Sequence, residues 1–229
     1  MAAICMREFI SLFKSIRSII IIAVLLGVTL GTAKLMSNFS GELSEMGLDS
    51  PYIAGLTGLL MLAGPLFVMS LSHDTVNREA HSRTMRFLVT KISINRIVLG
   101  KFLGIMLFWS VCLFISIILL IPFAKAFYAK ELIETMCYMS YFVTLALFLS
   151  SVIRKPGLSL FIGMVVSIAL PLLGFWGAFT ETKVVLIAFS YITPYFYISQ
   201  ESTNFVYFIP LLSSVLLGLS LLLSKKRDY

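Results

Sequence analysis

The chain has 229 residues, of which 59% are hydrophobic and 13% charged, with a mean hydropathy of +0.99 and a formal net charge of +7. A water-soluble domain carries roughly a quarter charged residues and about half apolar ones, and a chain this short cannot enclose such an apolar excess in one core. A soluble globular enzyme, a disordered chain and a collagen-like repeat are therefore excluded, and lipid is the natural solvent for most of this sequence.

Residues 1–17 come before the first apolar stretch. Phe9, Leu12, Phe13 and Ile16 recur at helical spacing while Arg7, Ser11 and Lys14 share another face. That is the pattern of an amphipathic helix lying flat at a membrane interface; the plainer alternative is a short charged leader that only orients the first span. A helix needs about 20 apolar residues to cross the hydrocarbon, and stretches 18–36, 51–71, 102–124, 132–153, 158–178 and 205–223 meet that length. The first of these outruns a signal-peptide core and no small-x-small cleavage site follows it, so it reads as a retained helix.

Segment 72–101 is the one substantial loop. It holds a third of all basic residues and both histidines, and it has no proline and no glycine before Gly100, so it reads as a structured element rather than a tether. It is too short for a catalytic domain. Gly100 and Gly104, like Gly27 and Gly31, are spaced so that helix backbones can approach closely in lipid, either within the chain or along a dimer seam. Pro122, Pro171 and Pro210 fall within or near span ends, where they kink or end helices. Residues 184–199 are apolar but number only 16 and contain Pro194. They read as part of a re-entrant or interfacial hairpin, 180–204, between spans five and six.

Charge sets the orientation. With six spans both termini share one side, and that side collects fourteen basic and four acidic residues against four basic and seven acidic on the other. The positive-inside bias makes the first side cytoplasmic. A seventh span at 184–199 would put Lys225, Lys226 and Arg227 outside and break the rule.

The chemistry is informative by what is missing. With the loop ending at Lys101, the spans hold no Asp, Glu, Arg or His away from their ends, whereas ion-coupled transporters usually place ionisable groups mid-membrane. His73 and His81 lack the spacing of a paired metal site, no G-x-S-x-G elbow occurs, and Cys5, Cys112 and Cys137 are too scattered for a metal site or a disulfide framework. Lys101 follows Gly100, but Phe102 stands where a phosphate-binding loop needs Ser or Thr. The chain is expected to be no enzyme and to hold no cofactor of its own. Phe175, Trp176, Phe179, Tyr191, Tyr195 and Tyr197 cluster toward the outer side, as an interfacial aromatic belt or as an outer gate touching an apolar or amphipathic substrate.

The loop into the third span contains Arg78, Glu79, Thr84, Leu88, Thr90, Ser93, Leu99, Gly100 and Lys101 in an order that, with a small offset at Glu79, resembles the loop of ABC-2 type transporter permeases, roughly E-R-E-x-G-T-L-x-x-L-L-x-T-P-V-S-R-x-x-I-L-x-G-K. Arg83 stands where glycine is usual before Thr84, and Lys91 replaces the proline. The six-span layout, the N-terminal helix and the outer hairpin extend the resemblance over nearly the whole chain. It implies one all-α transmembrane domain, 1–229, with six transmembrane helices. It further implies that Arg7, Glu8 and Lys14 with Arg78, Glu79, Arg83 and Arg86 face a separate ATP-binding subunit that carries ATP and Mg²⁺. A second permease subunit, identical or different, and membrane lipid are the other expected partners, with no nucleic acid. The expected activity is outward export of an amphipathic or hydrophobic substrate, such as a peptide or antimicrobial, across the plasma membrane. The alternatives are a secondary transporter or channel, or a membrane immunity protein with no ATPase partner.

Overall fold

The computed structural model describes residues 1–38, 51–81, 92–179, 190–199 and 203–226, and every regular element among them is helical. In chain order these are α1 (Ala2–Phe13), α2 (Ile16–Asn38), α3 (Pro51–Ser72), α4 (Asn77–His81), α5 (Ile94–Ala124), α6 (Ala129–Val152), α7 (Pro156–Phe179) and α8 (Pro194–Ser199). A 3₁₀ helix (Thr203–Phe208) then leads into α9 (Ile209–Lys226). Among the described residues six helices are long and apolar enough to cross a membrane, namely Ile16–Asn38, Tyr52–Glu79, Ile94–Ala124, Ala129–Val152, Pro156–Gly177 and Phe205–Lys225. They correspond one for one to the six stretches read from the sequence, and the chain is a multi-pass membrane protein.

One boundary moves. The third span starts at Ile94 rather than at residue 102, because Ile97 and Val98 are fully buried and nothing between Ser93 and Gly100 interrupts the helix. Lys101 therefore lies in the second turn of a helix that is 31 residues long. At a rise of about 1.5 Å per residue this helix is roughly 46 Å long, enough to cross hydrocarbon and both headgroup layers. It ends at Lys125, whose φ of 52° places it in the left-handed region and whose N–H donates to the Ile121 carbonyl.

The long helices α5 and α6 form the centre, with half of each span buried, while α2 and α9 bury only 22% and present their remaining faces outward. Trp109, Phe108, Leu113 and Phe142 are fully enclosed in the centre. On α2 the exposed face carries Ile19, Ile20, Val24 and Leu30, as a helix facing lipid should.

Because hydrocarbon offers no hydrophobic drive between helices, small and hydroxyl residues hold such bundles together. The α6–α9 seam does this with serines: Ser140 meets Ser213 at 2.9 Å, and Ser151 meets Ser220 at 2.8 Å and Ser224 at 3.1 Å. The same helix ties down the root of α4. The Ser150 hydroxyl accepts the backbone N–H groups of Val76 (2.9 Å) and Asn77 (3.1 Å), and the Asn77 amide donates to the Ile153 carbonyl at 3.2 Å. From α7, Ser159 donates to the His73 carbonyl at 2.6 Å. The exit from the second span, including the first residues of segment 72–101, is thus fixed to spans four and five.

Of the hairpin read at 180–204, the described part is residues 190–199, which include α8, and the start of the 3₁₀ helix; 180–189 and 200–202 lie outside the described residues.

Candidate functional site

The charged residues of α1, α4 and α5 meet at one end of the bundle. Lys101 has a fully buried side chain, and its ammonium lies 3.2 Å from Glu79 Oε2 and 3.5 Å from Glu8 Oε2. Arg7 pairs with the other Glu79 oxygen and hydrogen-bonds to it. The four side chains form a formally neutral set of two cations and two carboxylates. Glu8 and Glu79 are nearly enclosed, at 8% and 11% side-chain exposure, whereas Arg7 is half exposed.

Close backbone approach makes this possible. A Cβ added at Gly104 would lie 2.7 Å from the Cys5 carbonyl oxygen and 2.9 Å from Glu8 Cβ, and one at Gly100 would lie 3.1 Å from Ile4. The Gly100–Gly104 spacing therefore seats α1 inside the chain and brings Glu8 within reach of Lys101. Gly27 and Gly31 have open space in front of them. The apolar side of α1 adds Ile4 and Leu12, both buried, and an edge-on contact of Phe13 with Phe108, ring centroids 4.9 Å apart.

Paired charges at depth are costly to desolvate and give little net stability against a well-packed apolar alternative, but removing one partner is severe. Their value is register. This cluster fixes the N-terminal helix, the start of the loop and the base of the central span relative to one another.

The predicted coupling residues separate into two groups. Glu8 and Glu79 are turned inward to Lys101, while Arg7, Lys14 and Arg78 are exposed. Among the described residues Arg78 is paired only across one helical turn, with Asp74 at 3.6 Å. Arg83 and Arg86 lie outside the described residues. Lys101 was visible in the sequence only as the end of a loop motif. A lone lysine next to Gly100 at the mouth of an apolar run was the available signal, but its partners come from distant segments.

The predicted outer-gate aromatics are also divided. Tyr195 is fully buried, and its hydroxyl lies 3.0 Å from that of Tyr138, which donates to the Met61 carbonyl at 2.8 Å. Burial pushes the Tyr195 phenol well above the ordinary tyrosine range. Its ring stacks at a tilt on Phe175, centroids 4.7 Å apart, and lies directly over Gly174. Trp176 and Tyr191 are exposed, and Tyr197 donates to the Tyr191 carbonyl at 3.1 Å. The Phe179 side chain lies outside the described residues. Tyr138, absent from the sequence reading, is what holds Tyr195.

A Cβ at Gly174 would overlap the Tyr195 ring, with Cγ only 2.9 Å away. Gly174→Ala is expected to lose about 1–3 kcal/mol, the usual cost of overpacking, and a melting curve of the purified protein checks it. A midpoint equal to that of the parent would show that Tyr195 is free to move.

Against family models, residues 3–228 match the one described as ABC-2 family transporter protein. A search of curated proteins finds no match. The family match spans nearly the whole chain, from α1 through the six spans to the end of α9, and such proteins are membrane components of transport rather than catalysts. The chain belongs to the ABC-2 transporter family as a transmembrane permease.

Proposed function

We propose that this chain is the permease subunit of an ATP-driven exporter, working with separate ATP-binding subunits and a second permease unit, and oriented with both termini in the cytoplasm of a cell bounded by its plasma membrane. ATP and Mg²⁺ act on the partner subunit. The observation that carries the reading is the enclosed Arg7–Glu79–Lys101–Glu8 cluster. A push on the N-terminal helix or on α4 reaches α5 through charges that cannot slip independently, and α5 carries it through the centre of the bundle. Arg7, Lys14 and Arg78 supply an exposed basic rim where an ATPase would dock, Glu8 and Glu79 hold that rim in register, and Arg83 and Arg86 are the further loop residues assigned to the same partner. Charges on such a rim favour encounter and orientation more than affinity.

An open apolar groove of about 580 Å³ between α5, α6 and the start of α9, lined by Met106, Phe114, Ile133, Met136, Cys137 and Pro210, is consistent with an apolar or amphipathic cargo such as a peptide or antimicrobial. The exposed Trp176 and Tyr191, with Phe175, Phe179, Tyr195 and Tyr197, would form the outer gate.

The test is affinity purification of the tagged chain from its native membranes, with Mg²⁺-dependent ATPase activity measured in the eluate. ATPase activity is expected to co-purify, and the double charge reversal Lys14→Glu with Arg78→Glu is expected to lower it at least fivefold at equal permease yield. Concentrative transport by the purified chain alone under a proton gradient would overturn the reading.

A further inference from the structure

Where α1 turns into α2 beside the end of α3, a polar cavity of about 210 Å³ opens, with Ser11, Ser15, Arg17, Asp74 and Arg78 in its wall. We propose that this cavity binds the phosphoethanolamine headgroup of a membrane lipid. It lies apart from the enclosed lysine cluster, sharing only Glu8, which is already committed to Lys101.

The wall carries both halves of the recognition. Arg17 makes no ion pair with any described residue, and Arg78 is engaged only by Asp74 at 3.6 Å, so guanidinium donors remain for a phosphate. Guanidinium groups match phosphate oxygens in a bidentate geometry, and the hydroxyls of Ser11 and Ser15 add donors. Asp74, held at the edge of the same space, is the acceptor for a primary ammonium.

Depth points to a lipid rather than a soluble phosphate. Arg17 lies in the first turn of the first spanning helix, whose outward face begins with the exposed Ile16, Ile19 and Ile20. A headgroup in the cavity would therefore have its acyl chains running along an apolar helix at the level where basic residues meet the headgroup layer. The carboxylates in the wall disfavour a purely anionic headgroup. A choline headgroup fails because its methylated nitrogen has no N–H to give Asp74.

The proposal needs only the level of this junction in the membrane and does not depend on an ATPase partner. The test is native mass spectrometry of the purified full chain with equal amounts of phosphatidylethanolamine, phosphatidylglycerol and phosphatidylcholine of matched chains. Phosphatidylethanolamine is expected to be retained at least fivefold over the other two. Asp74→Asn is expected to abolish that preference, Arg17→Gln to weaken retention of all three lipids, and the milder Ser11→Ala to reduce phosphatidylethanolamine retention about threefold with unchanged melting. Soluble O-phosphoethanolamine is expected to compete only at millimolar concentration. Equal retention of the three lipids, a preference for phosphatidylglycerol, a preference that survives Asp74→Asn, undiminished retention in Arg17→Gln, or binding of the soluble compound without the lipid would each overturn it.

Discussion

Lys101→Met is expected to lower the melting temperature of the purified permease by roughly 6–20 °C. The substitution keeps most of the side-chain volume but removes the enclosed ammonium that Glu8 and Glu79 share. Breaking a buried ion pair from one side costs about 3–5 kcal/mol, and a domain of this size loses about 2–4 °C per kcal/mol. Adding Glu8→Gln removes the carboxylate left without its cation, while Arg7 still pairs with Glu79, and should recover most of the loss. That rescue separates charge imbalance from a packing defect. Removing Arg7 should cost far less, about 1 kcal/mol or below, since its side chain is half exposed. A Lys101→Met protein melting within about 2 °C of its parent would mean that the cluster does not hold α1 in place.

Gly104→Val is expected to lift α1 from the third span. The added Cβ would meet the Cys5 carbonyl oxygen, a backbone atom that can yield only if the helix moves. The expected loss is about 1–3 kcal/mol, but the more telling readout is Cys5. In a background with Cys112 and Cys137 changed to alanine, the maleimide labelling rate of Cys5 should rise severalfold. Gly218→Ala is the control: open space faces Gly218 on α9, so labelling should not change and stability should stay within about 0.5 kcal/mol. An unchanged Cys5 rate in Gly104→Val would show that α1 is not seated on the Gly100–Gly104 face. If ATPase co-purification survives a displaced α1, force does not enter through it.

Both predictions concern contacts whose components were legible in the sequence although their partners were not. The glycine spacing at 100 and 104 announced a close helix approach, but it could not say whether the neighbour was α1 or another subunit. The aromatic cluster is visible as composition; that Tyr195 is enclosed while Trp176 is exposed depends on Tyr138 from α6 and Gly174 from α7. The serines joining α6 to α9 carry no signal in the sequence because a single serine in an apolar run has no direction until its helix has a neighbour.

What the linear chain determined was the solvent, the number of crossings and the loop motif, because hydropathy over about 20 residues and the order of residues in a loop are local quantities. Only the tertiary structure decided that a lysine at the mouth of the third span is fully enclosed between two carboxylates. Residues 8, 79 and 101 belong to separate helices, and Coulomb pairing in a low-dielectric interior depends on the distance between side chains, which no sequence separation encodes.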